Sequence, residues 1–107
     1  MRYEVELTRP AARDLNEIRQ FITASESAAR AEEVLTVLQQ KLATLAEMPL
    51  RGNAPKELAI FGATEFRELH HQAYRMIYAV QGPTVFIVAI TDGRRDMQAF
   101  LQRRLAR

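Results

Sequence analysis

The residue type with the most chemistry to offer in this chain is arginine. Arg75 stands in Tyr74–Val80, a stretch that is otherwise apolar on both faces of a strand. A charge in such a place must be paired or must face a groove, because burying it alone is costly. Arg67 lies on the preceding predicted strand, and Arg94 and Arg95 follow the last one. Arg67 and Arg75 are candidates to project from one sheet face, with Arg94 and Arg95 at its rim. Guanidinium groups so placed could hold a phosphate or carboxylate bidentately. The competing reading pairs Arg67 and Arg75 with Glu65, Glu68 or Asp96.

Other chemistry is sparser. Glu68 and His70, two apart on a strand, share one face and could do general acid–base work. The competing reading is a solvated edge with a cross-strand ion pair from Glu68 to Arg75. His70 and His71 are neighbours, so in extended chain they point to opposite faces and could not share one metal ion. With no HExxH spacing and no carboxylate cluster beside them, no metal site is expected. Ser25 and Ser27 fall in a helix joint, where both are expected as N-caps rather than nucleophiles. The chain has no cysteine, hence no disulfide, thiolate or Cys-based zinc site. Its four glycines all fall at turns and form no phosphate cradle, so no cofactor is expected.

Charge is unevenly spread. Residues 1–50 carry 6 basic and 8 acidic groups; residues 51–107 carry 9 basic and 5 acidic groups. Arg94, Arg95, Arg103, Arg104 and Arg107 share the last fourteen positions with one acid, Asp96. A basic half suggests an anionic partner, nucleic acid or an acidic protein segment; the bland alternative is a solvated helix face. A chain of 107 residues is expected to form one domain, and its hydrophobic fraction of 48% excludes intrinsic disorder. The longest apolar run, Val85–Ile90, falls far short of the roughly 20 residues of a membrane span. MRYEVELT has no signal-peptide pattern. A cytoplasmic protein is therefore expected.

These residues need elements to position them. Residues 2–8 alternate like a half-buried strand. Thr8 and Pro10 then open a helix expected over 10–23, with Ala11, Leu15, Ile18 and Phe21/Ile22 as its stripe. A second helix is expected to run to about Met48 on Ala31, Val34/Leu35, Leu38, Leu42 and Leu45. The short joint makes the two an αα-hairpin. Pro49, Gly52 and Pro55 break the chain, and Leu58–Ala63 reads as loop. Strands are expected over 65–70, 73–80 and 84–91, joined by short turns and hence antiparallel. The last is apolar on both faces (Val85, Ile87 and Ala89 against Phe86, Val88 and Ile90), so it should be central. A helix over 96–105 carries Met97, Phe100, Leu101 and Leu105 on one face. The fold class is α+β: an N-terminal strand, an αα-hairpin packed on an antiparallel three-strand meander, and a C-terminal helix. Periodicity alone leaves open where the first strand joins.

The chain resembles RelE/ParE-superfamily toxins of bacterial type II toxin–antitoxin systems. The pieces that carry the likeness are Pro10-Ala-Ala-Arg-Asp14-Leu15 with Ile18, then Ala31, Leu42–Leu45, Pro49 and Gly52. Phe66-Arg67-Glu68-Leu69, Tyr74-Arg75-Met76-Ile77-Tyr78, and Ile87–Ile90 leading into Gly93-Arg94-Arg95-Asp96 follow. The opening and the Tyr-Arg strand look more like the ParE branch. The resemblance implies a cognate ParD-like antitoxin, which covers the toxin with an acidic, amphipathic segment, often in a dimer of heterodimers. It also implies a non-enzymatic poison of DNA gyrase, with contacts to the enzyme, its DNA or both. Arg67, Arg75, Arg94, Arg95, Arg103 and Arg104 would then bind target or phosphate, and Phe100 and Leu101 the antitoxin. The alternative implied activity is ribosome-dependent cleavage of mRNA, as in the RelE branch. Arg75 and Arg95 would hold the phosphate and His70 or His71 would act as base. Against it, Glu68 stands where that branch has a lysine and Leu101 where it has a tyrosine.

Overall fold

The first strand, β1 (Glu4–Leu7), leads directly into α1 (Arg9–Ser25) in a computed structural model that describes residues 2–59 and 62–106. Thr8 makes the corner: its hydroxyl accepts the Ala11 N–H at 3.3 Å and donates to the Ile87 carbonyl at 2.9 Å. Pro10 sits in the first turn, where no helical N–H is missed. Ser27 caps α2 (Ala28–Ala43) by accepting the Arg30 N–H. Ser25 is not a cap; its hydroxyl donates to the Phe21 carbonyl in the last turn of α1. Past Ala43 the chain tightens into a 3₁₀ turn, Thr44–Ala46, so the second helix ends earlier than its apolar stripe suggests.

Pro55 starts a single helical turn, α3 (Lys56–Ala59), where a loop is expected. The Leu58 and Ala59 N–H groups both donate to the Pro55 carbonyl, and Leu58 is buried. One turn is too short to display a helical period, which is why the sequence does not reveal it. Positions 60 and 61 of the expected loop lie outside the described residues.

Three strands follow as a meander: β2 (Phe66–His71), β3 (Tyr74–Gln81) and β4 (Thr84–Asp92). The first turn is Gln72-Ala73, one residue later than expected, with Gln72 at φ +52°. The sheet order is β1-β4-β3-β2. The N-terminal strand joins as an edge, parallel to β4, with Val5 opposite Val85 and Leu7 opposite Ile87. The sheet is thus four-stranded and mixed, and β4 lies inside it as its double-sided apolarity predicts.

The faces of β4 are not those of simple alternation. Tyr78 pairs with Ile87 and Ile77 with Ala89, so Val88 is an extra residue in the ladder. This bulge reverses the phase. Val85, Ile87 and Ile90 face the helical hairpin together with Leu69, Met76 and Tyr78. Ala89 turns to the opposite face with Ile77. That face is covered by α4 (Met97–Leu105), through Met97, Phe100 and Leu101, and by Leu58 of α3. The result is three layers: hairpin, sheet, and α4 with α3. The apolar face of α4, expected to await a partner, is core. No helix among the described residues is long and apolar enough to cross a membrane.

Candidate functional site

Arg75 lies near the start of β3, opposite His70 on β2 and Thr91 on β4. The tight turn at Gln72-Ala73 sets that register. Residues facing each other across antiparallel strands share a face, so Glu68, His70, Arg75 and Ile77 point one way. Arg67, Leu69, His71 and Met76 point the other. Arg67 and Arg75 are therefore on opposite faces, contrary to the expectation that they project together. His70 and His71 are divided as predicted.

The Arg75 guanidinium makes four hydrogen bonds, all to carboxylates. Its Nε and Nη2 donate to the Glu68 carboxylate at 2.7 and 2.9 Å. Its Nη1 and Nη2 donate to the two Glu57 oxygens at 2.8 Å each. Only 12% of the Arg75 side chain and 3% of the Glu68 side chain is exposed. The hydrogen bonds from Arg75 hold the Glu57 carboxyl down at about 2, against the opposing effect of burial. The same bonds push Arg75 above its ordinary value. His70 completes the group, with Nε2 2.9 Å from Glu68 Oε1 while its ring is half exposed. Gly93 lets the arginine stem pass: a Cβ there would lie 2.5 Å from Arg75 Cδ. The pairing foreseen with Glu68 is present; Glu57 is the partner that sequence reasoning missed, because α3 was not recognised.

A second ion pair ties the C-terminal helix to the first. Asp14, buried on α1, accepts Arg104 Nη1 at 2.7 Å and Nη2 at 2.8 Å. It also accepts the Ile90 N–H at 2.9 Å, while Arg104 donates to the Val88 carbonyl. β1 ends at Leu7, opposite Ile87. Beyond that point this edge of β4 has no strand, and Asp14 and Arg104 satisfy its exposed backbone instead. Arg104, expected at the target contact, is thus committed within the chain. A signal for Asp14 existed: it sits between Ala11 and Ile18, at helical spacing on the buried stripe.

The remaining expected residues fall into two groups. Arg95 reaches back to the Thr91 hydroxyl at 3.3 Å and lies 4.2 Å from the Phe100 ring centroid, with Arg104 4.8 Å from the same ring. Arg95 and Arg103 line one groove of about 310 Å³ with Asp14, Glu17, Phe100 and Arg104. Arg94 is 81% exposed at the rim and hydrogen-bonds Asp92. Phe100 and Leu101 do not form an apolar surface for an antitoxin; both are buried against the sheet. Arg67 donates to the carbonyls of Leu50 and Gly52 on the hairpin side. Among the described residues no group of three metal-ligating side chains converges.

Residues 5–97 match the family model of the ParE toxin of type II toxin–antitoxin systems, parDE. The chain belongs to the ParE toxin family. ParE-type and RelE-type folds both superpose on it. A chain of the chromosomal ParDE system from P. aeruginosa is 17% identical, with 84% of this chain and 95% of that one covered and a TM-score of 0.73. The RelBE2 toxin–antitoxin complex from Mycobacterium tuberculosis gives 23% identity, coverage of 86% and 99%, and a TM-score of 0.56. A mutant of the E. coli toxin RelE in the free state gives 14% identity, full coverage of both chains and a TM-score of 0.66. At these identities the likenesses establish the fold alone. No curated protein sequence matches the chain. In this ParE-family toxin Arg75 and Arg95 lie near one end of the sheet, joined through Thr91, and of these two Arg95 alone is without a carboxylate partner among the described residues.

Proposed function

We propose that this toxin acts without catalysis, by poisoning DNA gyrase, and that a cognate antitoxin neutralises it. The observation that carries the reading is the double clamp on Arg75. A guanidinium that gives four of its five N–H donors to two carboxylates, and is nearly closed off from water, has its charge compensated and cannot grip an mRNA phosphate bidentately. Glu68 adds negative charge where phosphoryl chemistry would need positive charge. Arg94, Arg95 and Arg103 are open to a partner, at the rim and on α4, where they suit an anionic or acidic target surface.

A gyrase supercoiling and cleavage assay with the purified toxin tests this. Linear, protein-linked plasmid DNA should accumulate as toxin is added. A folded toxin with no effect at high concentration overturns the reading. Transcript cleavage on translating ribosomes, lost in His70→Ala or His71→Ala, would establish the nuclease alternative in its place, since the half-exposed His70 lies 2.9 Å from Glu68 on that face.

A further inference from the structure

β1 is an edge strand, bonded to β4 on one side and open on the other. Backbone groups alternate in direction along a strand. The Glu4 and Thr8 N–H groups point inward and donate to the Pro83 and Ile87 carbonyls, both at 3.0 Å. The Tyr3, Val5 and Leu7 N–H groups therefore point outward. Tyr3 finds a partner there, the Ala46 carbonyl at 2.7 Å. Val5 and Leu7 have none among the described residues. Two rungs of a ladder thus stand open beyond one that is filled.

A groove of about 660 Å³ runs along this edge, between β1 and the end of α2. Ala43 and Ala46 form its far wall, and their small side chains leave room for another chain. Tyr3 and Val5 line its near side and pack against the main core. Leu7, 41% exposed, continues that apolar row. The charged groups at the groove are Arg2, Glu4 and Glu6. Arg2 is paired with Glu47 at 3.0 Å. Glu4 and Glu6 form no ion pair among the described residues, so the uncompensated charge is negative. The two carboxylates, two residues apart, share one face of the strand, and Val5 and Leu7 share the other.

We infer that this edge takes an extended segment in which basic and apolar residues alternate, bound as an added strand of the sheet. Its backbone fills the Val5 and Leu7 rungs. Directly opposed residues share a face, so its basic side chains meet Glu4 and Glu6 while its apolar ones rest beside Val5, Ala43 and Ala46. The same two carboxylates repel acidic segments and nucleic-acid phosphates. They also repel a second copy of the chain. Antiparallel pairing centred on Val5 sets Glu4 of each copy opposite Glu6 of the other, and pairing centred on Glu4 or Glu6 sets that residue opposite itself. Like charges directly opposed destabilise a sheet, and charged side chains are a common guard on an open edge.

Amide hydrogen exchange of the full toxin, read by NMR with a capped peptide of alternating lysine and valine, tests the edge. Saturating peptide should slow exchange at Val5 and Leu7 by about tenfold or more. A peptide with glutamate in place of lysine, and one with its lysines and valines in separate blocks, should leave both amides unprotected. Glu4→Lys/Glu6→Lys should weaken the lysine peptide by about tenfold or more and admit the glutamate peptide instead. Leu7→Pro removes one outward N–H from an edge, where proline is tolerated, and should weaken binding by about fivefold; Leu7→Ala keeps that N–H and should change it by less than about threefold. Thermal melts establish that each variant is folded, and Glu4→Gln/Glu6→Gln replaces the lysine pair should that pair melt early. Unprotected Val5 and Leu7 with the lysine peptide at about 5 mM overturn the proposal. Equal protection by the glutamate peptide, or unchanged affinity in Leu7→Pro, does the same. Protection that appears without peptide and grows with toxin concentration assigns the edge to a second copy and overturns it too. Each of these results leaves the gyrase reading untouched.

Discussion

Arg75 and Glu57, eighteen residues apart, form a two-point ion pair between the third strand and a single helical turn, at 2.8 Å for each bond. With Glu68 on the other side of the guanidinium, the pair carries the largest concentration of buried charge in the described structure. It holds α3 against the sheet and removes a cation from the surface.

Removing Arg75 should therefore cost stability first. Arg75→Ala leaves Glu57 and Glu68 facing each other with no cation, and breaking a buried pair in this way costs about 3–5 kcal/mol. Urea unfolding should show a lower midpoint with an unchanged m-value. Near-wild-type stability would mean that the carboxylates find water or other donors.

Glu57 should also shape the response to acid. Its pKa is depressed from 4.5 to about 2, so the folded state favours the ionised carboxylate. The stabilisation is complete above about pH 4.5 and is lost as pH falls through about 2; it is on the order of 3 kcal/mol. Melting temperature should drop across that window more steeply in the wild type than in Glu57→Gln. Parallel acid limbs would remove Glu57 as the cause.

The edge of β4 should depend on Asp14. Asp14→Ala strands Arg104 and leaves the Ile90 N–H without its acceptor, at a cost of about 3–5 kcal/mol. Hydrogen exchange should rise at Ile90 and along α4. Asp14→Ala/Arg104→Met should recover part of the loss, because the unpaired charge is gone.

Arg94 and Arg95 should separate function from folding. Both are exposed, so the double alanine variant should stay within about 0.5–1 kcal/mol of wild-type stability. Gyrase cleavage and growth inhibition should be lost. Persistent poisoning by this variant would move the target contact elsewhere on the molecule.

Gly52 should tolerate no side chain. A Cβ there would stand 2.5 Å from the Glu68 carbonyl oxygen and 2.6 Å from the Tyr78 hydroxyl. Gly52→Ala should cost about 1–3 kcal/mol, and chemical denaturation would measure it.

Periodicity made the hairpin, the meander and α4 legible, because each runs for several turns or pleats of uniform chain. The spacing of Ala11, Leu15 and Ile22, of Leu35, Leu38 and Leu42, and of Phe100 and Leu101 marked buried stripes that the structure confirms. The family pieces also lay in order along the chain. Spacing could not say which surface each stripe would meet. Phe100 and Leu101 looked like a free apolar face because the layer beneath them, Ile77 and Ala89, belongs to other strands.

Local sequence determined the three longer helices, the antiparallel order of the last three strands, the opposed directions of His70 and His71, and the need for Arg75 to find a partner. These follow from backbone period, turn length and the cost of a buried charge, all properties of neighbouring residues. Only the tertiary structure decided that β1 joins beside β4, that the bulge at Val88 turns Ala89 away from Ile87, and that Glu57 and Asp14 claim Arg75 and Arg104. Those outcomes depend on contacts across 18 and 90 residues of chain. The choice among carboxylates is made by which one the packed layers bring within hydrogen-bonding distance, and no local pattern encodes that distance.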